Sequence, residues 1–162
     1  MNLNQFKKAN IGIIGCGYWA TNIIKSFEEE NYKNVFVFDT NPKQLNTIKS
    51  KFKYIKICKS LDELLDKDLF AALLVTPPST HFKIGEKILN KEVNLFIEKP
   101  VTLNSNHLKK LINISIKKKC VLFSGAYEAL FKPLLERPED NLSFRRERKN
   151  LLPHNGIRRQ TY

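Results

Sequence analysis

A doubly wound α/β fold, with a parallel sheet of about six strands carrying helices on both faces, is predicted by three observations. Short apolar runs without polar alternation recur between residues 9 and 123, and most are followed by a stretch with helical apolar spacing. The first run also ends in a glycine-rich turn that leads straight into a helix. The 162 residues, 42% of them hydrophobic, suit a single domain of ordinary size with a real core and argue against disorder of the whole chain.

The elements follow in order. Residues 9–15 (ANIGIIG) form an apolar run closing on glycine, and residues 20–30 then place Ile23, Ile24 and Phe27 at helical spacing. Val35, Phe36, Val37 and Phe38 make a β-rich run ending at Asp39, and a second helix begins after Asn41 and Pro42. Residues 54–58 read as a short strand, 61–65 as a short helix and 69–75 as a continuous apolar strand. The alternation repeats with helix 79–90, strand 93–97, helix 105–119 and strand 121–123. Unalternating strands interleaved with amphipathic helices describe a parallel sheet buried on both sides.

Composition narrows the function classes. The long uncharged stretches are residues 9–24, broken by Gly12, Gly15 and Gly17, and residues 69–82, which contain Pro77 and Pro78; both fall short of the roughly 20 apolar residues of a membrane span. The first ten residues lack the apolar core of a secretion signal. Cys16, Cys58 and Cys120 are odd in number and show neither CxxC nor CxH spacing, so no disulfide framework or metal site is expected and a cytoplasmic location is. A net charge of +12 raises the question of nucleic acid, but the lysines are spread thinly with few aromatics beside them, so neither a nucleic-acid nor a membrane partner is expected. A basic binding protein using Arg145 to Arg148 and Lys117 to Lys119 is the competing reading; a solvated helix end complementing the dipole also accounts for the three lysines.

Three segments carry chemistry. Gly15-Cys16-Gly17-Tyr18-Trp19-Ala20 is a G-x-G-x-x-A at a strand-to-helix junction. Gly15 allows the tight turn, Gly17 allows backbone to approach a pyrophosphate, Ala20 allows close helix packing, and the helix start supplies free N–H groups. Asp39, 24 residues after Gly15, stands at the end of the second strand, where its carboxylate could accept from ribose hydroxyls and would repel a 2′-phosphate. NAD is therefore expected rather than NADP. Thr76-Pro77-Pro78-Ser79-Thr80-His81 follows the fourth strand, with Ser79 or Thr80 as a helix cap; His81 is there either as a structural or as a chemical group. Glu98-Lys99-Pro100 ends the fifth strand. Its Lys99 is either half of a strand-end ion pair with Glu98 or a proton-transferring group whose charge Glu98 holds.

Together these segments resemble the nucleotide-binding Rossmann domain of the Gfo/Idh/MocA oxidoreductases, over about residues 8–125. The resemblance implies an NAD(P) cofactor held by Gly15, Cys16, Gly17, Tyr18, Trp19, Asp39, Thr76, Pro77, Pro78, His81 and Glu98. It implies Lys99 as the catalytic residue, with hydride passing between the nicotinamide and a sugar or cyclitol carbon. The Gly-Tyr-Trp-Ala-Thr-Asn form of residues 17–22 is most similar to members that oxidise nucleotide-linked sugars for surface polysaccharides, which suggests a UDP-linked aminosugar or its uronic acid oxidised at C3. The alternative is a non-catalytic NAD-binding module or regulatory subunit.

Residues 126–162 depart from that pattern. No arginine occurs before Arg137, and then Arg137, Arg145, Arg146, Arg148, Arg158 and Arg159 follow. The apolar periodicity is lost at the same point, so residues 1–125 are expected to form the domain and 126–162 an irregular tail. Family members continue into a second α/β domain, which this length does not accommodate, and Gly125-Ala126 stands where the family carries Gly-His. His154 has no matching context and is given no role. A basic arm or a frameshift in an A-rich gene would each account for the tail; a continuing domain in another frame of the downstream DNA would establish the second, and its absence would dismiss it. Loss of a second domain would leave apolar surface around residues 121–131, making a homo-oligomer the expected assembly.

Overall fold

The computed structural model describes residues 8–125. Its strands are β1 (Asn10–Ile14), β2 (Val35–Phe38), β3 (Lys56–Ile57), β4 (Leu69–Leu74), β5 (Asn94–Ile97) and β6 (Leu122–Ser124). The helices are α1 (Tyr18–Glu29), α2 (Pro42–Lys51), α3 (Leu61–Leu65), α4 (Pro78–Asn90) and α5 (Ser105–Lys118). The six strands form one parallel sheet in the order β3-β2-β1-β4-β5-β6. This is the doubly wound arrangement, in which the chain runs outward from β1 in one direction, crosses back after β3, and runs outward from β4 in the other.

The period of two along each strand divides the core into two layers. Ile11 and Ile13, Val35 and Val37, Ala71 and Leu73, and Phe96 face one side, where Ala20, Ile23, Ile24 and Phe27 of α1 and Ile48 of α2 cover them. Ile14, Ala72, Leu74, Leu95 and Ile97 face the other, against Leu64 and Leu65 of α3, Ile88 and Leu89 of α4, and Leu111 of α5. Apolar residues on both faces explain why the central strands showed no alternation: β1 and β4 are buried almost throughout.

Two local expectations change. The strand expected at residues 54–58 pairs only through Lys56 and Ile57. It is an edge strand whose two paired residues are exposed, while Ile55 before it and Cys58 after it are buried. Neither Ser79 nor Thr80 caps α4. Pro78 takes the first helical position, where its missing N–H costs nothing, so the cap position falls on Pro77 and has no side-chain bond. No helix of the described residues is long and apolar enough to cross a membrane.

Candidate dinucleotide site

The sheet order brings the loops after β1 and β4 side by side, because β1 pairs with both β2 and β4. This is the topological switch point, where a crevice opens outside the carboxyl ends of the strands. Gly15 lies at φ +96, and a Cβ there would stand 2.9 Å from the Val75 carbonyl oxygen and 3.1 Å from Thr76 Cγ2. The turn after β1 is thus pressed against the start of the loop after β4. The Gly15 N–H donates to the Phe38 carbonyl at 2.9 Å, continuing the β1–β2 ladder past the last paired residues.

Gly17 differs. It caps α1 with φ −79 and ψ −157, an extended conformation, and among the described residues a Cβ built on it meets nothing within 4 Å. The described part of the chain does not demand glycine there. Helix α1 has no side-chain cap and no acidic residue in its first turn, whereas Asn41, Ser60 and Asn104 cap α2, α3 and α5. An uncapped helix start beside a backbone stretch that lacks a side chain and faces open space fits the pyrophosphate of a dinucleotide. Tyr18 and Trp19 project from this same turn, 76% and 47% exposed, with their rings edge to face at 5.5 Å.

Asp39 reaches the loop from β2. Its Oδ2 accepts from the Cys16 N–H at 2.7 Å and its Oδ1 from the Asn41 N–H at 2.7 Å. Burial, with the Asp39 charge adding to it, pushes the Cys16 thiol from its ordinary 9.0 up to about 12. Burial also raises the Cys58 and Cys120 thiols, and all three cysteines are free and buried. The folded protein therefore keeps the Cys16 proton that an unfolded chain releases above pH 9. Stability contributed by the protonated thiol is complete below that pH and is lost progressively as pH rises toward 12. The expected results are slow alkylation of the folded protein by iodoacetamide at pH 8, and a urea midpoint that falls from pH 9 upward, less steeply in Cys16→Ala.

Opposite this loop stand Thr76, Pro77 and Pro78. Thr80 Oγ1 donates to the Pro77 carbonyl at 2.7 Å, which leaves Thr76 Oγ1 as the donor in its 2.7 Å contact with Thr80 Oγ1. Thr80 was not singled out as a site residue, although its four-residue spacing from Thr76 was a readable signal. His81 is 1% exposed. Its Nε2 lies 2.7 Å from the Thr76 carbonyl oxygen, and its Nδ1 lies 3.1 and 3.2 Å from those of Pro100 and Val101. These oxygens only accept, so a singly protonated ring donates to one side alone; the ring itself lies in the interior between the segments after β4 and β5.

Glu98 and Lys99 end β5 in different surroundings. Glu98 is buried, 9% exposed, and its backbone N–H donates to the Leu74 carbonyl at 3.0 Å, while Lys99 is exposed. Among the described residues no ion pair joins them. The strand-end pair expected from adjacency is absent because consecutive residues leaving a strand take opposite sides of the sheet. Lys99 is thus an exposed residue just past the carboxyl end of β5, the strand that lies beside β4 and its Thr76 loop. Among the described residues no group of His, Cys, Asp and Glu could hold a metal ion. Residues 126–162, with the arginine run and His154, lie outside the described part.

Comparison with known proteins agrees with this geometry. The family model for oxidoreductases with an NAD-binding Rossmann fold, Gfo/Idh/MocA, matches residues 9–126. The UDP-N-acetylglucosamine 3-dehydrogenase of Acidithiobacillus ferrooxidans is 30% identical over 118 residues, covering 70% of this chain and 36% of that protein. The "Oxidoreductase P35" of Formosa agariphila is 29% identical over 125 residues, 74% of this chain and 38% of that protein. Among solved structures, that same A. ferrooxidans dehydrogenase superposes with a TM-score of 0.67 at 25% identity, over 86% of this chain and 41% of its own. The chain therefore spans well under half the length of the relatives it matches.

Proposed function

Since the chain belongs to the Gfo/Idh/MocA oxidoreductase family and carries its NAD-binding Rossmann domain, we propose that it binds NAD between the glycine loop and the loop after β4 and serves hydride transfer to or from a sugar or nucleotide-sugar hydroxyl carbon. The observation that supports this most directly is Gly17, a cap position that no part of the described chain crowds beside a helix start with no side-chain cap. The α1 N–H groups would hold the pyrophosphate. The free acceptor capacity of Asp39 would take the adenosine ribose hydroxyls, and its charge disfavours a 2′-phosphate. Tyr18, Trp19, Thr76, Pro77 and Pro78 would line the cofactor, with His81 fixing the wall they form and Glu98 beneath it. The nicotinamide, when bound, accepts or supplies the hydride. Lys99, exposed at the same edge, would move the proton at the substrate oxygen or hold its developing charge.

The relatives that match include a UDP-N-acetylglucosamine 3-dehydrogenase, and a nucleotide-linked aminosugar is the substrate class proposed here. A second reading is a dinucleotide-binding module that works with residues outside this domain, favoured by the share of the relatives' length that the chain covers. The deciding experiment is a titration with NADH and with NADPH followed by the fluorescence of Trp19, the sole tryptophan, together with turnover of UDP-N-acetylglucosamine in the presence of NAD. Saturable quenching, tighter for NADH, is expected. In Lys99→Met the NADH affinity should stay within about twofold of the parent, while any turnover falls by about a hundredfold or more, the size of a lost acid–base group. Quenching by neither dinucleotide would refute the proposal; quenching without turnover in the unsubstituted chain would select the module reading.

A further inference from the structure

The Asp39 carboxylate is already engaged before any ligand is considered. One oxygen receives the Cys16 N–H of the glycine loop and the other the Asn41 N–H, each at 2.7 Å. Asn41 in turn caps α2, its Oδ1 accepting from the Lys43 N–H at 3.0 Å. The carboxylate therefore ties three things together: the turn after β1, the end of β2 and the start of α2. Two N–H donors converging on two oxygens call for a group that only accepts. An amide offers one oxygen and one NH2, so it can satisfy one of these donors and must set a donor against the other. The bonds are charge-assisted and short, the stronger class of hydrogen bond.

We infer that Asp39 is a positioning residue for the glycine loop as well as a ribose acceptor, so that cofactor preference at this position cannot be exchanged without unlatching the loop that holds the pyrophosphate. This rests on the dinucleotide reading above for its second half, while the latch itself stands on the two hydrogen bonds alone. If Asp39 were only a charge filter, Asp39→Asn would remove the repulsion of a 2′-phosphate and NADPH would bind better. With the latch, the gain from lost repulsion is offset by a loop that must be ordered at binding, and both dinucleotides suffer.

The test uses the whole 162-residue chain, isotopically labelled, with Asp39→Asn beside the parent. In the variant the Cys16 or the Asn41 amide is expected to exchange about tenfold faster, as loss of a bond to a charged group implies. The same variant should weaken NADH by about tenfold and leave NADPH no tighter than in the parent. Unchanged protection of both amides, or a tenfold gain in NADPH affinity, would overturn the inference. A measurement on the parent guards against a variant that does not fold: the Cys16 and Asn41 amides should both be protected from exchange, and prompt exchange of either would overturn the latch. Failure of the parent to bind NADH would instead defeat the dinucleotide reading, with the exchange results still deciding the latch.

Discussion

Gly17→Val is expected to unfold within about 1 kcal/mol of the parent and to bind NADH on the order of a hundredfold more weakly, about 2.7 kcal/mol. The two halves of this result have separate causes. Gly17 lies at φ −79, outside the left-handed region, and none of the described residues stands within 4 Å of the position its Cβ would take. The isopropyl group would instead occupy the space in front of the α1 N–H groups, where the pyrophosphate must approach. Urea unfolding measures the first half. Calorimetric titration with NADH measures the second and avoids the disturbance that a neighbouring substitution imposes on Trp19. Binding retained at parental strength would show that the phosphates lie elsewhere.

Gly15→Ala should give the opposite pattern: a loss of stability on the order of 3 kcal/mol, read as a thermal midpoint lower by about 10 °C. At φ +96 an alanine is strained whatever room it has, and its Cβ would stand 2.9 Å from the Val75 carbonyl oxygen and 3.0 Å from the Val75 carbonyl carbon. Both contacts are backbone, and Val75 is held by its N–H donating to Ile14 at 2.9 Å, so the neighbour cannot yield without loosening the β1–β4 ladder. NADH binding should weaken as a consequence of the displaced turn. An unchanged midpoint would mean that the turn adapts, and that both glycines serve the ligand. Two glycines separated by a single residue are thus required for different reasons, one by the chain and the other by what the chain holds.

Much of the fold was readable along the chain because its signals are local. Residues Ile23, Ile24 and Phe27 predict the buried stripe of α1, and the structure buries all of them. The apolar runs that became β1, β4 and β5 are continuous because each strand is covered on both faces. The edge strand β3 was less legible: with one neighbour to pair with and two exposed residues, it carries little hydrophobic signal. Ser79 and Thr80 are good capping residues by type, but Pro78 holds the first helical position, and the Thr80 hydroxyl donates back to the Pro77 carbonyl instead.

The alternation of strands and helices, the glycine turn at the end of β1 and the acidic residue at the end of β2 are written in the residues themselves. Periodicity, steric freedom and chain order are properties of neighbouring residues and need no knowledge of the far parts of the molecule. Folding is what puts a backbone amide on each Asp39 oxygen. It also sets His81 in the interior between Thr76 on one side and Pro100 and Val101 on the other, and it buries Glu98 while leaving Lys99 exposed. The Asp39 and His81 contacts join segments that follow different strands, and they exist because the sheet sets β1 beside β2 and β4 beside β5. That adjacency is set by the sheet as a whole, through burial of both its faces, and no single stretch of residues records it.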